Sequence, residues 1–214
     1  MPSPWLDIPL ADYEGHMSLP GVGQAEMLAA AFGDLLAEHK PHSVTVVGCA
    51  GGNGFDRISP GITRRVVGVD INPAYIAAAS ARYAPLIPGL ELYVADIEQP
   101  GLSVDPVDLV YAALVFEYVE PEAAFRTLKS LCKPDGILAA VLQLPSPSVA
   151  AVSPSPFASV QALGSAMRMV PPALLDAAAV EAGFVPLSSR HLVSPSQKKF
   201  LVRVFQQSGC GARH

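Results

Sequence analysis

Charge is scarce in this chain: only 15% of its 214 residues are Asp, Glu, Lys or Arg, and acids outnumber bases 19 to 14 for a net charge of −5. Arg64-Arg65 and Lys198-Lys199 are the only basic doublets. That is too little for the basic stripe that binds phosphate backbones, so nucleic acid is excluded as a partner. Cysteine is rarer still. Cys49, Cys132 and Cys210 are an odd, scattered set with no CxxC and no metal-ligand spacing, which fits a reducing compartment and gives no reason to expect a bound metal. No run approaches the roughly 20 apolar residues that span a bilayer. The stretch Met1 to Asp7 has neither the basic nor the apolar region of a secretory signal. The expectation is a soluble, cytoplasmic protein without a membrane partner.

What the chain does have is hydrophobic residues, half of the total, in short β-branched runs separated by turn signals. This is the pattern of strands buried on both faces of a parallel sheet. Residues 1–20, with Pro2, Pro4, Pro9 and Pro20, read as irregular. A helix follows from about Val22 to His39, with Leu28, Phe32, Leu35 and Leu36 near a 3.6 period. Strands are predicted from Val44, at 66–70, at 90–95, at Val107–Ala113 and at Ile137–Leu144. Helices fall between them, near Phe55–Ile58, from Ala74 to Tyr83 behind an Asn72-Pro73 cap, and from Pro121 to Cys132. Lys133-Pro134-Asp135-Gly136 reads as a type I turn. Strand and helix alternating on this scale mean an α/β, doubly wound sheet. Residues 145–170 are a Pro/Ser-rich loop with helical character near Phe157–Met169. A helix Ala173–Ala182 closed by Gly183 follows, and Phe184–His191 with Lys199–Gln206 make an antiparallel hairpin. Length and the absence of repeats favour one domain. It comprises an N-terminal cap (1–40), a core (44–144), a lid (145–170) and a closing helix and hairpin (171–206).

The most informative stretch is Val44-Thr45-Val46-Val47-Gly48-Cys49-Ala50-Gly51-Gly52-Asn53-Gly54. It is a buried strand emptying into a glycine turn, where a backbone approaches a ligand. The second apolar run ends in Asp70 and the third in Asp96. Glycine turn and carboxylates would meet at one sheet edge as a nucleoside-cofactor pocket. The glycine spacing also fits a nicotinamide enzyme of the short-chain dehydrogenase type. Against that reading, Ala50 and Asn53 interrupt G-x-G-x-x-G, and none of the six tyrosines is followed four residues on by lysine.

From about residue 21 to 206 the sequence resembles the class I S-adenosylmethionine-dependent methyltransferases. Val44–Gly52 looks like their first motif, Val69-Asp70-Ile71-Asn72 like the second and Ala95-Asp96-Ile97 like the third. Val107–Glu117 and Lys133-Pro134-Asp135-Gly136-Ile137-Leu138 resemble the fourth- and fifth-strand motifs. The resemblance implies a seven-stranded, mostly parallel sheet of order 3-2-1-4-5-7-6, its last strand antiparallel, with helices on both faces. It implies S-adenosylmethionine as cofactor, S-adenosylhomocysteine as product and no metal. The cofactor-binding set would be Gly48, Cys49, Ala50, Gly52, Asp70, Ile71, Asp96, Ile97, Ala112 and Leu114. In it Asp70 takes the ribose hydroxyls, Asp96 the adenine amino group, and Ile71 packs on the adenine face. Two positions depart from the pattern: Val46 stands where the family usually has an acid, and Ala50 replaces the middle glycine, tolerable unless its φ is positive.

Glu117 and Tyr118, after strand four, stand where the family often has Glu-His and are the candidates for touching substrate. His16 is the candidate general base. Core or structural roles compete with each of these. Met167 and Met169 suit an apolar pocket. No Asn-Pro-Pro-Tyr follows strand four, so the expected acceptor is a small apolar or aromatic metabolite rather than a nucleic acid or protein amine. Two alternatives stand beside this: a regulatory module that binds the cofactor without turnover, and an NAD(P)-dependent oxidoreductase.

Overall fold

The computed structural model describes residues 3–146 and 150–209, so Cys210 and most of the expected frayed tail lie outside the described residues. Seven strands form one sheet: β1 (Ser43–Val47), β2 (Arg65–Asp70), β3 (Leu90–Val94), β4 (Val107–Ala113), β5 (Cys132–Gln143), β6 (Phe184–Val193) and β7 (Lys199–Gln207). Their order is β3-β2-β1-β4-β5-β7-β6. The first five strands run parallel, while β7 is antiparallel to both β5 and β6. The helices are α1 (Leu10–Met17), α2 (Gln24–His39), α3 (Pro73–Tyr83), α4 (Pro121–Leu131), α5 (Ala158–Gln161) and α6 (Pro172–Glu181). The fold class and strand order are those expected.

Strand β1 lies inside the sheet between β2 and β4 and is buried along its whole length, which its β-branched run permits. Side chains alternate between two cores. Val44 and Val46 of β1 and Leu109 and Tyr111 of β4 pack with Leu28, Phe32 and Leu35 of α2. Val47, Val110 and Ala112 face the opposite cluster, which holds Phe125, Leu128 and Leu131 of α4 and Leu175 of α6. Tyr111 stacks on Phe32 and donates its hydroxyl to the Leu28 carbonyl at 3.0 Å, which seats α2 on the sheet. Below the sheet, Asp108 accepts from the Ser43 backbone N–H at 2.8 Å and from Lys133 Nζ at 2.7 Å, tying the starts of β1, β4 and β5 together.

Two local expectations are corrected. Residues 4–17 are not irregular: Pro4–Asp7 make a 3₁₀ turn and α1 follows. The prolines mark starts rather than breaks, Pro4 opening the turn and Pro9 capping α1, both positions where a missing N–H costs nothing. The turn at 133–136 is not type I, because Asp135 has φ 60°, the left-handed value of a type II third position.

Asn72 caps α3 by accepting from the Ala74 N–H at 2.9 Å, and its amide also donates to the Trp5 carbonyl at 2.8 Å. Tyr75 donates to the Ile8 carbonyl at 3.0 Å. The N-terminal segment is thereby strapped over the carboxyl end of β2. On the edge strand β6 the register shifts at Pro186, a position where no ladder N–H is needed.

Candidate functional site

A cavity of about 890 Å³ opens above the carboxyl ends of the parallel strands, near the upper end of the usual range for ligand sites. Its floor is built from Gly48 after β1, Asp70 and Ile71 after β2, Asp96 and Ile97 after β3, and Ala113 and Leu114 at the end of β4. Its roof is the N-terminal segment with α1, together with α5 and the residues that follow it.

The loop after β1 turns on four left-handed residues, Gly48 (φ 66°), Ala50 (φ 47°), Gly52 (φ 94°) and Gly54 (φ 83°). A Cβ on Gly48 would stand 2.9 Å from Val115, so glycine is required there for space as well as for φ. Ala50 carries its methyl in a conformation alanine rarely adopts. Its N–H donates to Asp70 Oδ2 at 2.9 Å, which holds the strained residue in place. Asp70 Oδ1 accepts from the Asn72 N–H at 2.9 Å. Burial pushes the Asp70 carboxyl up from its ordinary range, and these backbone donors act against that. The Ile71 N–H acts in the same sense, and the carboxylate borders the cavity. Across the floor Leu114 is also left-handed (φ 56°), pinned by its N–H to the Val141 carbonyl at 2.9 Å. Two strained non-glycine residues thus sit on adjacent strand ends at one cavity, where such strain commonly accumulates. Asp96 is fixed by the Glu98 N–H at 2.9 Å.

Of the residues expected to bind a cofactor, Gly48, Ala50, Asp70, Ile71, Asp96, Ile97 and Leu114 line the cavity. Three do not. Cys49 is buried beneath the loop in the α2 core, its thiol pushed up by burial. Ala112 points into the opposite core, and its neighbour Ala113 lines the cavity in its place, as strand alternation demands. Gly52 borders a smaller cavity of about 240 Å³ beside Arg82 and Tyr83. Val46 lies in the apolar α2 core, where an acid would be desolvated, and does not line the cavity.

Of the expected substrate-side residues, Tyr118 lines the cavity with its ring 5.0 Å from that of Trp5. Met167 lines it and Met169 does not. His16 lines it from α1. It is only 5% exposed, and its Nδ1 has no hydrogen-bond partner among the described residues. Burial, then the Lys198 charge, holds its pKa below the ordinary value. Glu117 is not at the cavity wall. It is wholly buried, Oε1 accepts from the Gln143 N–H at 2.7 Å, and Oε2 has no partner among the described residues. Burial pushes its carboxyl up to about 7. Its place is to brace the end of β5.

The fold brings further polar residues to the wall, among them Gln24 at the start of α2, Gln143 at the end of β5 and Lys198 before β7, with Glu98 and the Glu120–Arg168 ion pair elsewhere on it. Gln143 ends a parallel strand as Asp70 does, the one signal that could have flagged it. Lys198 was legible only as half of a basic doublet. Among the described residues no group of His, Cys, Asp and Glu is gathered as a metal site, and no helix is long and apolar enough to cross a membrane.

Comparison with known proteins agrees with this architecture. A family model described as methyltransferase domain matches residues 46–140. No curated protein matches the chain. Among solved structures, magnesium protoporphyrin IX methyltransferase of Synechocystis PCC 6803, with bound S-adenosylhomocysteine, superposes with a TM-score of 0.66 at 16% identity, over 87% of this chain and 84% of that one. The N-methyltransferase NodS of Bradyrhizobium japonicum, in complex with S-adenosylhomocysteine, gives 0.64 at 17% identity over 86% and 87%. The cyclase SpnF gives 0.64 at 14% identity over 84% and 81%. Residues 46–140 thus match a methyltransferase-domain model, and the seven-stranded sheet has the fold of these S-adenosylhomocysteine-bound methyltransferases.

Proposed function

We propose that the protein is an S-adenosylmethionine-dependent methyltransferase acting on a small apolar or aromatic acceptor. One observation carries this reading: a single cavity joins the glycine loop and the two strand-end acids to an aromatic and aliphatic chamber under the N-terminal strap. The residues present fit the cofactor. Gly48 leaves backbone open to the cavity, Asp70 presents a carboxylate at its wall for ribose hydroxyls, and Asp96 with Ile97 stands one strand further out for the adenine. Bound there, S-adenosylmethionine supplies a methyl group already activated on a sulfonium. The protein has to align a nucleophile with that methyl and exclude water. Trp5, Tyr13 and Tyr118 form one edge-to-face aromatic wall that suits alignment of a planar or aliphatic acceptor. Where the acceptor must lose a proton, His16 is the group to take it. Burial lowers its pKa and so favours the neutral imidazole, the form able to accept a proton.

A second reading, cofactor binding without methyl transfer, draws on Val46, on the strain at Ala50 and on the likeness to a cyclase. Thermal shift with S-adenosylhomocysteine and with NAD(P) separates the classes, since a specific ligand raises apparent stability by mass action. S-adenosylhomocysteine is expected to raise the melting point and NAD(P) to leave it unchanged. A shift with NAD(P) alone overturns the proposal. Binding with no turnover across a broad acceptor panel transfers the case to the second reading.

A further inference from the structure

Lys198 is 2% exposed and its ammonium points into the cavity wall, with one described hydrogen bond, to the Ala151 carbonyl at 2.6 Å. Among the described residues no carboxylate lies within ion-pairing distance of it, and Pro147, Ser148 and Val149, the loop residues outside the description, carry none. A buried cation facing one neutral carbonyl is costly, and such a group is ordinarily paired or neutralised. The surroundings are built rather than incidental. The Gln143 side chain donates to the same Ala151 carbonyl at 2.9 Å, which fixes that carbonyl from two sides. His16 lines the same cavity, and the Lys198 charge disfavours a second positive charge there. Burial alone lowers the Lys198 pKa to about 8, so the ammonium form still dominates at neutral pH.

The position is as informative as the chemistry. From β2, which ends in Asp70, to β7, which Lys198 precedes, the sheet order counts four strand spacings, roughly 19 Å at about 4.8 Å each. Lys198 therefore belongs to the end of the cavity away from Asp70 and Asp96. Between the two ends lie Leu114 and the apolar chamber.

We propose that Lys198, with His16 and Gln143 beside it, is the anion-binding end of the acceptor subsite, and that the acceptor is a small apolar or aromatic carboxylic acid whose carboxylate pairs with Lys198 Nζ. The proposal rests on the cavity being a joint cofactor and acceptor site. A carboxylate supplies the missing counter-charge, while the aromatic and aliphatic body of the acid fills the chamber.

The test is calorimetric binding with the full-length protein. S-adenosylhomocysteine is titrated first. Failure to bind defeats the functional reading and is distinct from anything that follows. The protein saturated with S-adenosylhomocysteine is then titrated with benzoate, 4-hydroxybenzoate, phenylacetate and octanoate, each against its neutral amide. At least one acid is expected to bind about tenfold or more tightly than its amide. That preference should collapse in Lys198→Met and persist in Lys198→Arg, with S-adenosylhomocysteine affinity kept in both. The ratio in the unaltered protein tests the idea even where a variant fails to fold. Equal binding of acids and amides, no binding by any acid, or a preference that survives Lys198→Met overturns the proposal. So does a matching loss of S-adenosylhomocysteine affinity in Lys198→Met, which would assign the charge to the cofactor's own carboxylate.

Discussion

Asp70 does two things at one turn: it pins the strained Ala50 amide and the start of α3, and it presents its carboxylate to the cavity. Asp70→Ala is expected to weaken S-adenosylhomocysteine binding by about 1–3 kcal/mol, the scale of losing hydrogen bonds to a charged acceptor. Calorimetry checks this, with Asp70→Asn beside it because the Asn72 and Ala50 amides also lose their partner. Unchanged affinity in both variants means that the ribose lies elsewhere. That Asp70 lines the cavity was legible in the sequence for a physical reason, since an acid ending a central parallel strand lies at the edge where open α/β sheets bind ligands. Sequence reasoning could not see that Glu117, equally acidic and equally placed after a strand, turns inward to brace Gln143. Nor could it see Lys198. A lone lysine acquires meaning only from what the fold sets beside it, here a carbonyl, an imidazole and no acid.

At the scale of elements, the alternating strands and helices were readable because each apolar run ends at a turn residue, and their packing into two cores follows from side-chain alternation. The hairpin was readable from its spacing. What escaped was α1, since four prolines in the first twenty residues look like breaks until two of them prove to be start positions. The left-handed Asp135 escaped because aspartate tolerates that conformation without requiring it. Asn72 joins two elements, capping α3 and holding the Trp5 carbonyl. Asn72→Ala is expected to lower stability by about 1–2 kcal/mol, somewhat more than a cap alone. It should also expose the N-terminal segment to proteolysis before the rest of the fold gives way. Chemical denaturation and timed digestion measure the two effects, and cleavage no faster than in the parent protein shows that the strap is held by something else.

For the molecule as a whole, the buried Glu117 makes stability depend on pH. Its folded pKa of about 7 lies above the ordinary 4.5. Between those values the folded state keeps a proton that the unfolded chain has released, so stability is greatest below the lower value. It falls as pH rises towards the upper one, by on the order of 3 kcal/mol. Glu117→Gln should remove that slope. Relative to the parent protein, the variant gains stability in denaturation at pH 8 compared with pH 5. An unchanged difference at the two pH values means that Glu117 does not titrate in that window. The strap has its own consequence at this scale. Two of its fastenings, Trp5 to Asn72 and Ile8 to Tyr75, are moored to the helix that begins where the Asp70 turn ends. Roof and floor therefore share one footing. A ligand that steadies the Asp70 turn is therefore expected to steady the roof as well, through the helix they share.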